Sequence, residues 1–146
     1  MSNLQGLPDH VATRGVENKP FLHIPNGTEI SVSDAISNPD SLKIYSEPYF
    51  FVTYVGSIGK ANCVDQLLQA ARKLKGNPKI GFLIVGDGPE KQRLIEFRDR
   101  EKLDRVFFVN KVGRAQVAGI LEQSGANYIG WAKSTLYKFG IGSKRS

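Results

Sequence analysis

From Pro48 onward two apolar patterns alternate along the chain. Nearly continuous runs of apolar, aromatic and β-branched residues recur as YFFVTYVG (49–56), KIGFLIVG (79–86), DRVFFV (104–109) and ANYIGWA (126–132). Runs without polar alternation read as strands covered on both faces. Between them the apolar residues fall at helical spacing. ANCVDQLLQAARKLKG (61–76) places Val64, Leu67, Leu68, Ala71 and Leu74 on one stripe, with Asn62 as expected N-cap and Gly76 as stop. PEKQRLIEFRDREKL (89–103) puts Pro89 in a first turn and Leu94, Phe97 and Leu103 inward. RAQVAGILEQS (114–124) aligns Val117, Ile120 and Leu121. The order β-α-β-α-β-α-β with short connections requires parallel strands and right-handed crossovers. The predicted fold class is α/β, a Rossmann-like doubly wound parallel sheet.

Residues 1–48 carry a different pattern, rich in Pro, Asn, Ser and Gly. They read as a leading, interdomain segment with a short helix near 7–14 and one short strand at FLHIP (21–25). A turn is expected at Asn26–Gly27 and a helical turn within SVSDAISNPDS (31–41). Residues 49–146 read as the Rossmann-like domain. It is expected to be incomplete at its C-terminus, because doubly wound sheets have about five or six strands.

The bulk numbers narrow the chemistry. At 146 residues, 40% hydrophobic and 23% charged, this is an ordinary globular composition for one domain. One cysteine, Cys63, and two histidines, His10 and His23, leave too few ligands for a structural zinc cluster. Cys63 reads as a packing residue. The start lacks the basic and apolar regions of a signal peptide, and no apolar run approaches the roughly 20 residues of a membrane span. A cytoplasmic chain is expected. The net charge of +6 favours an anionic partner. The basic residues are scattered without interleaved aromatics, which argues against nucleic acid.

Ligands of open α/β sheets sit beyond the carboxyl ends of the strands. There the sequence offers GSIGKAN (56–62), GDGPE (86–90), NKVGR (110–114) and AKSTLYKFGIGSK (132–144). Glycine lets backbone approach a ligand closely, and helix N-termini offer N–H groups to phosphate. Strand-to-helix turns also take glycine for steric reasons alone, and neither loop is a Walker A or a GxGxxG string. Lys60 reads as a point charge for a diphosphate or as a solvated lysine. Asp87 and Glu90 read as turn and first-turn acids rather than a catalytic pair. Trp131, Tyr128 and Tyr137 read as packing residues.

Taken together, IPNG (24–27), YVGSIGKANCVDQLLQAARKLK (54–75), FLIVGDGPEKQRL (82–94) and VFFVNKVGRAQVAGILEQSGANYIG (106–130) resemble the C-terminal half of GT-B glycosyltransferases of the retaining family-4, or group 1, type. The likeness spans residues 21–141. It implies half of a GT-B architecture: the domain that binds a nucleotide-diphospho-sugar, with the N-terminal acceptor domain missing or carried on another chain. By resemblance, Gly56 and Ser57 lie under the donor diphosphate and Lys60 neutralises it. Gly86, Asp87 and Gly88 line the nucleotide pocket. Asn110, Lys111 and Val112 offer backbone to the base, and Ser134 lies in the loop near the donor sugar. No metal and no cofactor besides the donor is expected. The implied setting is polysaccharide or glycolipid synthesis in the cytoplasm, peripheral to the inner membrane. Two departures stand out. Ser57 occupies the place of an arginine common in the family, leaving Arg114 or Lys133 to compensate. The family's paired glutamates are missing, with Tyr137 where the first would stand. Two alternatives stay open: a non-catalytic nucleotide- or protein-binding α/β module of flavodoxin-like shape, and an inactive fragment. A receiver domain is disfavoured, since no acidic cluster follows the first strand.

Overall fold

A computed structural model describes residues 7–15, 20–22, 24 and 48–133. The chain divides into two compact units, 1–31 with 133–146, and 32–132. In the first unit, α1 (Leu7–Ala12) carries Asp9 in its first turn, and Gly15 with φ 82° follows it. Among the described residues of FLHIP the expected strand is not seen: Phe21, Leu22 and Ile24 lie outside any strand and are exposed. Pro20 and Pro25 bracket the run and have no N–H to give a ladder. The turn at Asn26–Gly27 and the helical turn within 31–41 lie outside the described residues.

The second unit holds the sheet. Strands β1 (Phe50–Val55), β2 (Ile80–Val85), β3 (Val106–Val109) and β4 (Ala126–Asn127) are all parallel, in the order β3-β2-β1-β4. Register makes the two faces explicit. Val52 pairs with Phe82, which pairs with Val106; Tyr54 with Ile84, and Ile84 with Phe108. These side chains meet α2 (Val64–Lys73) and α3 (Lys91–Arg100) through buried Val64, Leu67, Leu68, Ala71 and Leu94. The alternate residues Phe51, Leu83 and Val85 pack on the opposite face against Ile120 of α4 (Arg114–Glu122). Tyr49, Phe51 and Phe107 form an aromatic cluster there, with ring centroids 5.7–6.3 Å apart. Helices on both faces make the sheet doubly wound, as the pattern of double-sided strands predicts. The strand order reverses between β1 and β4, the topological switch of such sheets.

Several boundaries differ from expectation. Asn62 does not cap α2. A 3₁₀ turn covers Lys60–Asn62, and Cys63 takes the cap position in the left-handed region at φ 50°. The Asn62 side chain instead donates to the Ser57 carbonyl at 2.7 Å. α2 stops at Lys73 rather than Gly76, and Leu74 is 40% exposed instead of joining the core. Pro89 lies in the turn before α3, not in its first helical turn. β4 is only two residues long. Beyond it Tyr128 N–H still donates to Thr53 O at 2.8 Å, but then the chain leaves β1. It follows the start of α2, where Ala132 N–H donates to Ala61 O and the Tyr128 hydroxyl to Cys63 O. Among the described residues no helix is long and apolar enough to cross a membrane.

Candidate functional site

A cleft of about 750 Å³ opens at the carboxyl ends of β1, β2 and β3, within the range of small-ligand sites. Its position follows from the fold: the strands end there, and their loops must turn outward to reach the helices. Val55, Val85, Val112 and Val117 give it apolar walls. The rest of the lining is loop: Gly56 and Ser57 after β1, Gly86 to Gly88 after β2, and Lys111 after β3.

The first two loops interlock. Gly56 N–H donates to Val85 O, Ile58 N–H to Asp87 O at 2.8 Å, and Glu90 N–H back to Ile58 O at 3.1 Å. Backbone approaches so closely that side chains are excluded. A Cβ at Gly86 would overlap the Gly56 carbonyl, and one at Gly88 would stand 2.5 Å from Ile58 O. Both glycines have φ at or above 150°, which L side chains rarely adopt. The steric reading of GDGP is therefore sufficient for these glycines, and the same turn forms a wall of the cleft.

Two tyrosines brace the first loop from below. The Tyr54 hydroxyl donates to Ser57 O at 2.6 Å, and its ring lies 6.2 Å from that of Tyr128. Burial raises the pKa of both hydroxyls. Tyr128 adds to the effect on Tyr54, while Cys63 and Asp65 add to that on Tyr128. Tyr128 is thus an internal brace. Cys63 is buried, as a packing residue should be, although its backbone is left-handed.

The structure brings Gly56, Ser57, Gly86, Asp87, Gly88, Lys111 and Val112 to one cleft. It separates two others from them. Lys60 lines a neighbouring recess of about 470 Å³ with Cys63, Asp65, Glu90 and Arg93, between the starts of α2 and α3. Asn110 does not line the cleft; its Oδ1 accepts a hydrogen bond from Lys91 at 2.8 Å. Ser134 lies outside the described residues. Arg114 opens α4 without lining the cleft. Among the described lining residues Lys111 is the one cation and Asp87 the one acid, and Asp87 Oδ1 accepts from Gly88 N–H at 2.8 Å. The Glu90 carboxylate pairs with Arg93 at 2.6 Å, which leaves no Asp87–Glu90 pair.

Sequence reasoning missed Lys91. Its ammonium donates to Gly86 O at 3.0 Å as well as to Asn110, joining the β2 and β3 loops. The available signal was position: a lysine in the first turn after a glycine turn lies beside that turn's carbonyls.

Comparison with known proteins bears on the family and the fold. The family described as glycosyl transferases group 1 matches residues 37–128. Among curated protein sequences none matches. Among solved structures the chain is similar to the pneumococcal O-GlcNAc transferase GtfA in complex with UDP and GlcNAc. The TM-score is 0.63 at 21% identity, covering 84% of this chain and 22% of that one. It is also similar to a mutant of S. aureus TarM in complex with fondaparinux, alpha-GlcNAc-glycerol and UDP. There the TM-score is 0.60 at 16% identity, covering 82% and 22%. A third likeness is to the lipopolysaccharide outer core galactosyltransferase WaaB in its apo form, with TM-score 0.55, 14% identity, and coverage of 88% and 35%. At these identities the likeness speaks to the fold. The chain spans only about a fifth to a third of the length of these three proteins.

Proposed function

The chain belongs to the glycosyl transferases group 1 family, and on that premise we propose that it is the donor-binding portion of a retaining glycosyltransferase. Its ligand is a nucleotide-diphospho-sugar, and the sugar passes to a polysaccharide or glycolipid acceptor held by a second domain. One observation carries the reading. Two interlocked glycine loops and a lysine surround an apolar-walled cleft at the carboxyl edge of the sheet. The valine walls suit a base, and the loops bring backbone close to a ligand. Departure of the sugar leaves charge on the diphosphate, which fixed N–H groups and Lys111 are suited to stabilise. The reading takes no metal. UDP in the structures of GtfA and TarM supports uracil as the first base to try. The positive charge suits work at the cytoplasmic side of an anionic membrane.

A second reading, nucleotide binding without transfer, draws on Asp87. The one acid on the cleft is tied to its own loop, and Lys60 faces a different recess. One titration separates the readings. Amide NMR spectra of the chain are recorded while UDP, GDP and then UDP-GlcNAc are added. Shifts clustered at Gly56–Ser57, Gly86–Gly88 and Lys111–Val112 support the cleft as a nucleotide site. Sugar-dependent shifts beyond those of UDP favour a donor site over simple nucleotide binding. Dispersed spectra indifferent to every nucleotide would sink both.

A further inference from the structure

We propose that Lys91 is a positioning residue that aims the Asp87 N–H at the bound nucleotide; this rests on the nucleotide reading of the cleft. Its ammonium adds a side-chain bridge between the β2 and β3 loops, through Gly86 O at 3.0 Å and Asn110 Oδ1 at 2.8 Å. Lysine only donates, so both partners present oxygen to it. That contact has a geometric consequence one bond away. The Gly86–Asp87 peptide is trans, so its C=O and N–H point in opposite directions. Holding the Gly86 carbonyl toward Lys91 turns the Asp87 N–H away from it. Among the described residues that N–H has no hydrogen-bond partner, although Asp87 lines the cleft and its neighbours are all engaged. Gly86 N–H donates to Val109 O, Gly88 N–H to Asp87 Oδ1, and Asp87 O accepts from Ile58 N–H. The loop thus keeps one oriented donor unused. The same lysine fixes the Asn110 carboxamide and so steadies the peptide that leads into Lys111 and Val112. A donor fixed before the ligand arrives needs no reorganisation when it binds.

The test compares the 146-residue chain with Lys91→Met and Lys91→Arg, using UDP as the probe. Lys91→Met keeps the stem and removes the donors; Lys91→Arg restores donors. Without nucleotide, Lys91→Met should shift the Asn110 side-chain amide and the Asp87 N–H while the rest of the spectrum stays dispersed. With UDP, the Kd should rise about tenfold in Lys91→Met and recover in part in Lys91→Arg, the scale of one lost charge-assisted hydrogen bond. The Asp87 amide should move downfield on binding in the parent and not in Lys91→Met. Unmoved Asn110 and Asp87 signals in the nucleotide-free variant would overturn the contact itself. An unchanged Kd beside a parent that binds would overturn the positioning role alone. A parent that binds no nucleotide would instead remove the reading beneath it.

Discussion

The hydroxyl of Tyr54 donates to the carbonyl oxygen of Ser57 at 2.6 Å. A core residue of β1 thereby sets the shape of the loop that leaves the strand. A Cβ on Gly56 would stand 2.9 Å from that hydroxyl, so the tyrosine also fixes which residue can follow Val55. Tyr54→Phe should cost about 1 kcal/mol of stability, since it removes one hydrogen bond and leaves a carbonyl that still accepts from Asn62. Urea unfolding of the two proteins checks this. A loss above roughly 3 kcal/mol would mean the hydroxyl holds more than the loop.

The pKa of the same hydroxyl and that of Tyr128 are raised, mainly by burial. The fold therefore favours their neutral forms. Their contribution is complete below the ordinary tyrosine pKa of 10.0 and is lost as pH rises through the folded values. Ultraviolet titration of the parent beside Tyr54→Phe and Tyr128→Phe should show that these two tyrosines ionise above the ordinary value, with stability falling over that alkaline range. Five tyrosines titrating together at the ordinary value in the folded protein would contradict it.

Gly86 and Gly88 should be intolerant of the smallest side chain. Gly86→Ala and Gly88→Ala each force backbone against backbone and should cost roughly 2–4 kcal/mol. Gly76→Ala is the contrast, because a Cβ there meets nothing within 4 Å; its effect should stay within about 1 kcal/mol. Chemical denaturation of the three variants gives the comparison. Equal effects would mean that the loop interlock is not tight.

Sequence reasoning read the sheet well because double-sided burial leaves a strong mark. Phe82 to Val85 are all buried, and no polar residue interrupts them. β4 was overread for the same reason. ANYIGWA is apolar, yet Ile129 is 75% exposed, and pairing with β1 ends at Thr53 although β1 itself runs on beside β2 to Val55. Leu74 had helical spacing but fell one residue past the end of α2, a boundary that periodicity does not resolve. In the site, glycine loops were legible as punctuation. The placement of Lys60 in the recess beside α2 and α3 was not, since the short 3₁₀ turn that carries it leaves no periodic mark in the sequence.

The core makes a matching claim. Leu94→Ala removes a side chain 2% exposed between α3 and the sheet and should cost about 3 kcal/mol. Leu74→Ala, at the exposed end of α2, should cost less than about 1 kcal/mol. Thermal unfolding of both distinguishes them, and similar losses would place Leu74 in the core after all.

Cation placement separates two lysines. Lys111→Ala should weaken UDP binding about tenfold, and added salt should narrow the difference. Lys60→Ala should change binding by less than about threefold, because its recess is separate. Calorimetric titration at two salt concentrations reads both. A larger loss at Lys60 would mean that its chain swings from the recess to meet the phosphates.

The reciprocal bonds between Ile58 and the Asp87–Glu90 turn bear on how this site can be re-engineered. Each turn is the other's template, so neither is a cassette. Grafting a relative's first loop alone would leave the second without its mould, and the reverse holds equally. A library that varies both turns together, with their partner backbone taken from one parent, should yield folded members where single-loop exchanges fail.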